Sequence, residues 1–476
     1  MHERLPVEIT FYGTPFDRQA VIHTLRHLAI RSGWTITSRA RHRIIYATTE
    51  DPDQITAGEE DVVILSTPSV NRHLRESRDP FPVEVISYSR LPFPHPKWRD
   101  YQRRGWIPAD VLAGACAVMN LWYESRTRSE RADDWILFAE DWWLKAGWKR
   151  PEPVVDQWLD TVAKAAELLG WPRLENHLQP TVLLTHDVDY LPTTLNRGFP
   201  RFLRSLARQV ITRGRPGDAL LNVSAYVHAL MGSLPYSEIE KIADGESARG
   251  LRSSFQLVVG NKHHRDPTYN LCDPHYRETL CALQDRGFEI CLHGSYQAGD
   301  QPARLADEKA ELEGLMGRQI SGHRQHYLHF HPASFFLGLE KAGFSYDMSV
   351  GYNDMPGPRA GTYHPWRPYD LRNGRHFEFW EIPLILMDTT LATTCRLSPQ
   401  AALKFSIEES GRFMDSSGGC ASIIWHQEQL GGRLDPGYDQ VYWDLLDVMR
   451  KRQVCLTTGS TMLPKLEDSW QKSIRE

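Results

Sequence analysis

The chain reads as an α/β protein whose larger part is a parallel β/α barrel over residues 181–465, preceded by a smaller α/β domain at 1–120 and a helical connecting region at 121–180. Two observations carry this reading. Short apolar runs that end abruptly in polar clusters recur at Thr181–Thr185, Ser253–Val259, Glu289–His293, Gly322–Leu328, Glu381–Met387 and Ala421–His426. Helix-like segments separate most of them, and β-to-α alternation over about 280 residues favours parallel strands with loops at their C-terminal ends.

The N-terminal elements follow from the same periodicities. Val7–Tyr12 reads as a strand, Arg18–Arg31 as a helix, and Arg43–Ala47 and Val62–Ser66 as strands. Pro92, Pro94 and Pro96 make residues 92–106 loop-like, and a helical run extends from Ala109 to Arg126. A Trp-rich stretch (Trp135, Trp142, Trp143, Trp148, Trp158) leads into an amphipathic segment, Val154–Leu169, ending at Gly170. Aromatics at helical spacing are expected to pack in the core or between domains, with a sugar platform as the minority reading.

Bulk composition narrows the function. With 476 residues and 41% hydrophobic content the chain can bury a large core. A net charge of -5 without a long basic run argues against nucleic acid or an anionic membrane as partner. Seven cysteines, scattered with no CxxC pair, fit reduced thiols, and neither a signal peptide nor an 18-residue apolar run is visible, so a cytoplasmic protein without stable membrane insertion is expected. Gly-x-Ser-x-Gly, P-loop and Gly-x-Gly-x-x-Gly signatures are missing from the sequence, which disfavours serine esterases, nucleotide hydrolases and dinucleotide reductases.

Four strand ends carry groups suited to chemistry. In Leu184-Thr185-His186-Asp187-Val188-Asp189-Tyr190 two carboxylates alternate, and they repel unless a cation or proton lies between them. One can ligate a metal while the other takes a proton from water; the competing reading makes Asp189 a turn or helix cap. His293 ends Gly287–Leu292 and is followed by small residues, as a metal histidine would be. Ser321–Pro332 holds four histidines and Arg324, which is suited to bracing a carboxylate, although a solvated His-rich loop is the alternative. His426 ends Ile423-Ile424-Trp425, a place for a general acid or for a satisfied structural imidazole.

The order Thr-x-Asp-x-Asp, His-x-Ser, Arg-x-x-Tyr, Tyr-Asp and a late strand-end His resembles the polysaccharide deacetylase superfamily (NodB-homology, carbohydrate esterase family 4-like), in particular the branch whose first motif reads Thr-His-Asp-Val-Asp. The likeness covers about residues 181–460. It implies a distorted (β/α)7-type barrel, a divalent metal ion, zinc first and cobalt or manganese next, and removal of N- or O-linked acetyl groups from a sugar or polysaccharide. Carried over by motif, Asp187 is the base, Arg324 its brace, His426 the general acid, and Asp189 and His293 metal ligands. Tyr327, Asp347, Arg359 and Trp425 are substrate-contact candidates, and Trp366 and Tyr363 are further aromatics to test as sugar platforms.

One departure stands out. Four residues after His293, where the family's second metal histidine belongs, the chain has Gln297, and His326 stands where the third motif usually has Pro. His326 is therefore the expected third ligand. The alternatives are a hydrolase of a small non-peptide amide on the same barrel, or a carbohydrate-binding protein that has lost catalysis.

Overall fold

The computed structural model describes residues 4–76, 83–86, 89–97, 99–100, 103–126, 143–172, 179–189, 191, 223, 227, 238–259, 263–267, 269, 271–272, 274–416, 418–430 and 435–475. Trp135, Trp142 and Tyr190, singled out above, lie outside them.

Among the described residues, five strands form the first sheet: β1 (Leu5–Tyr12), β2 (Trp34–Thr37), β3 (His42–Thr48), β4 (Val62–Ser66) and β5 (Trp106–Ile107). They are parallel, in the order β2-β1-β3-β4-β5. Helix α1 (Arg18–Ser32) begins where the Asp17 carboxylate accepts the Ala20 N–H and ends at Gly33, whose φ of 68° suits a residue without Cβ. Helices α2 (Val111–Met119) and α3 (Val154–Leu168) pack together, and Trp143, Trp148 and Trp158 are buried among them, as packing aromatics.

The second sheet is a curled, all-parallel array. Its strands are β6 (Thr181–Val188), β7 (Ser254–Leu257), β8 (Glu289–Gly294), β9 (Gly322–Gln325), β10 (Tyr346–Asp347), β11 (Trp380–Glu381), β12 (Leu384–Met387) and β13 (Cys420–Ile424). They run in the order β11-β10-β9-β8-β7-β6-β13-β12, and β14 (Cys455–Thr457) pairs with the first half of β6. The two ends of this path, β11 and β12, are separated in the chain only by Ile382-Pro383. Ile382 donates to Asp347 O at 2.9 Å on one side, and Pro383 O accepts from Ser422 N at 2.8 Å on the other. The sheet thus curls back toward itself, consistent with a TIM-like barrel. Every residue of β6 is buried, as expected of a strand covered on both faces.

The two sheets are tied by buried polar groups as well as by one continuous apolar cluster that runs from Val7 and Ile44 through Trp158 to Leu292. Asp156 of α3 accepts from Arg31 of α1 at 3.1 Å, from Thr362 Oγ1 at 2.7 Å and from Tyr363 N at 2.9 Å. The far edge of the N-terminal sheet meets the end of the chain. Ile36 N donates to Ser473 O at 2.9 Å, and Arg475 N donates back to Ile36 O at 2.8 Å, after the last helix, α4 (Gly459–Lys472). Among the described residues no helix is long and apolar enough to cross a membrane.

Candidate metal centre

The alternation of β6 explains its motif. Side chains two apart share a face, so Thr185, Asp187 and Asp189 point one way while His186 points the other. His186 is fully buried between the Trp425 carbonyl (2.7 Å) and Glu246 Oε1 (3.0 Å), which makes it a structural residue of the barrel wall. On the inner face Arg324, from β9, donates through Nη1 to Asp187 Oδ1 at 2.8 Å and to Thr185 Oγ1 at 2.7 Å, and through Nε to Met348 O at 3.1 Å. Burial would raise the Asp187 carboxyl pKa, but Arg324, His293 and His426 outweigh it and hold the group below its ordinary range.

Asp189, just past the end of β6, faces three imidazoles. Its Oδ1 lies 3.6 Å from His293 Nε2 and 3.5 Å from His326 Nε2, and its Oδ2 is 3.8 Å from His426 Nε2. Against the effect of burial, these imidazoles drive its carboxyl well below the usual range. Ligand atoms of Asp189, His293 and His326 all lie within 4.8 Å of one another. Asp189 Oδ1 is buried and, among the described residues, has no hydrogen-bond donor, an arrangement that costs free energy unless a cation satisfies it. One carboxylate and two imidazoles also make up a common ligand set of catalytic zinc. The residues present therefore fit a divalent ion.

The orientation of each ring is fixed from behind. His293 Nδ1 is 2.9 Å from the Arg324 carbonyl, which leaves Nε2 facing the acids, and burial pushes this imidazole down to about 4. Gly294 follows it because a Cβ there would lie 2.6 Å from both Gln325 Oε1 and His323 Nε2. His326 enters through a one-turn helix in which Tyr327 has φ 58°, and its Nδ1 faces Asp266 Oδ1 at 3.4 Å. Burial opposes its protonation, but Asp189 and Asp266 outweigh this and raise it to about 9. His426 is gripped twice by Asp388, with its Nδ1 2.6 Å from Oδ1 and its backbone N–H donating to Oδ2 at 2.7 Å. Burial works against the charge here too, yet Asp388, with Asp189 and Asp187, raises it to about 10.

No protein-family model matches the chain, and no curated protein does. Among solved structures it is similar to a Mycobacterium smegmatis chain assigned as a polysaccharide deacetylase, with 16% identity and a TM-score of 0.39, covering 61% of this chain and 91% of that one. It is similar also to Puue allantoinase, at 12% identity and a TM-score of 0.39, covering 60% and 90%. Likeness this slight leaves the functional reading to the residues themselves.

The structure thus brings together Asp187, Asp189, His293, Arg324, His326 and His426. It places the substrate-contact candidates differently. Tyr327 is 38% exposed, its ring 4.5 Å from that of His326, and so stands at the lip of the centre. Asp347 is fully buried and bonded to His323 Nδ1 (2.6 Å) and to Ser349, which leaves it a wall residue rather than a substrate contact. Arg359 is engaged by Glu124 Oε2 (2.9 and 2.7 Å) and the Gly351 carbonyl (3.1 Å), a buried clamp between segments and not a free cation. Trp425 is fully buried against Tyr438 and Tyr442, and Trp366 and Tyr363 are equally enclosed, so none offers a face to a sugar. Two functional-looking groups were missed. Asp388 follows the apolar run Leu384–Met387 and was readable as one more strand-end acid, whereas Asp266 lies in an irregular loop with no periodic signal.

Proposed function

We propose that the chain is a metal-dependent hydrolase that removes acetyl groups, N- or O-linked, from a carbohydrate. The observation that carries this reading is the convergence, from three separate strand ends, of Asp189, His293 and His326 beside an ionised Asp187 braced by Arg324, with His426 opposite. Asp189 Oδ1 and the Nε2 atoms of His293 and His326 would hold the ion. When bound, it supplies Lewis acidity toward an acyl oxygen and toward water.

The chain's own residues account for the proton traffic. Asp187 is ionised at neutral pH, because Arg324 favours its charged form, and it stands 3.6 Å from His293 Nε2, at the edge of the ligand set. It is positioned to take a proton from water as the water oxygen bonds to the acyl carbon. His426 keeps its proton through neutral pH, being paired with Asp388, and can hand it to the departing amine nitrogen or alkoxide as the C–N or C–O bond breaks. The products are acetate and the free amine or hydroxyl. Arg324 holds Asp187 in register and does not itself move a proton.

The test is direct. Protein stripped with a chelator and reloaded with zinc, cobalt or manganese is assayed for acetate release from N- and O-acetylated sugars, alongside small linear and cyclic amides. Metal-dependent acetate release from sugars supports the proposal. Turnover confined to small amides would move the substrate class, and failure to bind any of the ions would overturn the metal reading.

A further inference from the structure

The candidate ligand set depends on a histidine that no helix or strand presents in a regular way, which raises the question of what aims it. His326 follows β9 in a one-turn helix whose Tyr327 and Leu328 have φ of 58° and 49°, a conformation that fixes the backbone but not the ring. The ring itself is bracketed. Nε2 faces Asp189 Oδ1 at 3.5 Å, and Nδ1 faces Asp266 Oδ1 at 3.4 Å.

Asp266 is held in place independently of any ion. Its Oδ1 accepts the Tyr296 N–H at 2.7 Å and its Oδ2 accepts the His263 N–H at 3.2 Å, and only 1% of the residue is exposed. The Tyr296 N–H opens the short helix Tyr296–Asp300, which also carries Gln297. The same carboxylate therefore pins the turn that lacks a histidine and backs the histidine that replaces it. His293 differs, since its Nδ1 meets the neutral Arg324 carbonyl.

We infer that Asp266 is a positioning residue of the metal centre: it fixes His326 with the proton on Nδ1, so that the Nε2 lone pair is presented to a divalent cation and completes a ligand set that Gln297 would otherwise leave at two. When a cation takes the place of the Nε2 proton, the carboxylate beside Nδ1 keeps the remaining ring proton there and increases the donor strength of Nε2. A charged partner is needed because an amide at this position can turn its NH2 toward Nδ1 and force the proton onto Nε2, which blocks the lone pair. This inference rests on the metal reading proposed above.

The test uses the full-length chain and cobalt(II) or zinc(II) alone as probe. Affinity is measured by competition with a chromophoric chelator, and coordination by the cobalt visible spectrum. D266N is expected to weaken binding by about 10- to 100-fold, the usual effect of removing such a carboxylate partner, and to alter the cobalt spectrum. D266E is expected to recover part of the loss. H326A is expected to weaken binding as well, and adding D266N to H326A should then have no further effect, because Asp266 acts through that ring. If wild type binds neither ion, the metal reading itself fails. If wild type binds and D266N binds equally well, only the role of Asp266 falls. An equal loss from D266N in the wild-type and H326A backgrounds would show that it acts through the fold and would overturn the inference.

Discussion

Replacing Asp388 by asparagine removes one negative charge from a carboxylate that grips His426 at two points, 2.6 Å from Nδ1 and 2.7 Å from the backbone N–H. The size is preserved and an amide oxygen can still accept from Nδ1, but the NH2 then faces the His426 backbone N–H, so the charge and that second hydrogen bond are both lost. A hydrogen bond to a charged partner contributes about 1.5–3 kcal/mol, and one pH unit corresponds to about 1.4 kcal/mol. In metal-free protein the His426 imidazole, held at about 10, should therefore fall by roughly one to two units in D388N. Nuclear magnetic resonance of ring-labelled histidine reads this directly, with the signal assigned by its loss in H426Q. The same shift appears in stability. His426 is protonated in the fold and neutral in the unfolded chain between its ordinary value of 6.5 and about 10, so its contribution is complete below that window and is lost as pH rises through about 10. In D388N the loss should still begin near 6.5 but be smaller and complete at lower pH, and the basic limb of any pH–rate profile should move down with it. An unchanged titration would refute the assignment of Asp388 as the source of the raised value.

Three further outcomes are expected. Asp187→Asn should retain bound metal and lose turnover by several orders of magnitude, whereas Asp189→Asn should lose the ion; equal loss of metal in both, measured by elemental analysis, would contradict their division of roles. His326→Ala should weaken metal binding by at least about 10-fold while Gln297→Ala leaves it unchanged, and chelator competition decides between this and the opposite pattern. Arg359→Ala strands the buried Glu124 carboxylate and should lower unfolding stability by about 3–5 kcal/mol without changing metal affinity, which denaturant titration and metal titration together can check.

The parts of this architecture that were legible in the sequence are those where local pattern and tertiary environment agree. Val182-Leu183-Leu184 is apolar throughout because both faces of β6 are covered, so the strand and its polar end announce themselves. The same holds for the runs that lead to His293 and His426. Three of the substrate-contact candidates are enclosed for a complementary reason. Asp347, Arg359 and Trp425 carry the right chemistry close to the right motifs, but sequence does not reveal that His323, Glu124 and Tyr442 already occupy them. Asp266 was invisible because it reaches His326 across 60 residues from a loop, and no periodicity encodes such a contact.

The pairing of Ile36 with Ser473 and Arg475 places almost the full length of the chain between two hydrogen-bonded neighbours. Among the described residues the outer edge of β2, a ready template for unwanted strand addition, is paired by Ser473 and Arg475, so it is shielded only after these residues have been synthesised. Contacts of such sequence separation are slow to form, so the nascent amino-terminal module must wait, partly unprotected, for the carboxy-terminal helix to arrive. Removing residues 473–475 would make that transient vulnerability permanent, and self-association of the shortened protein is the expected result.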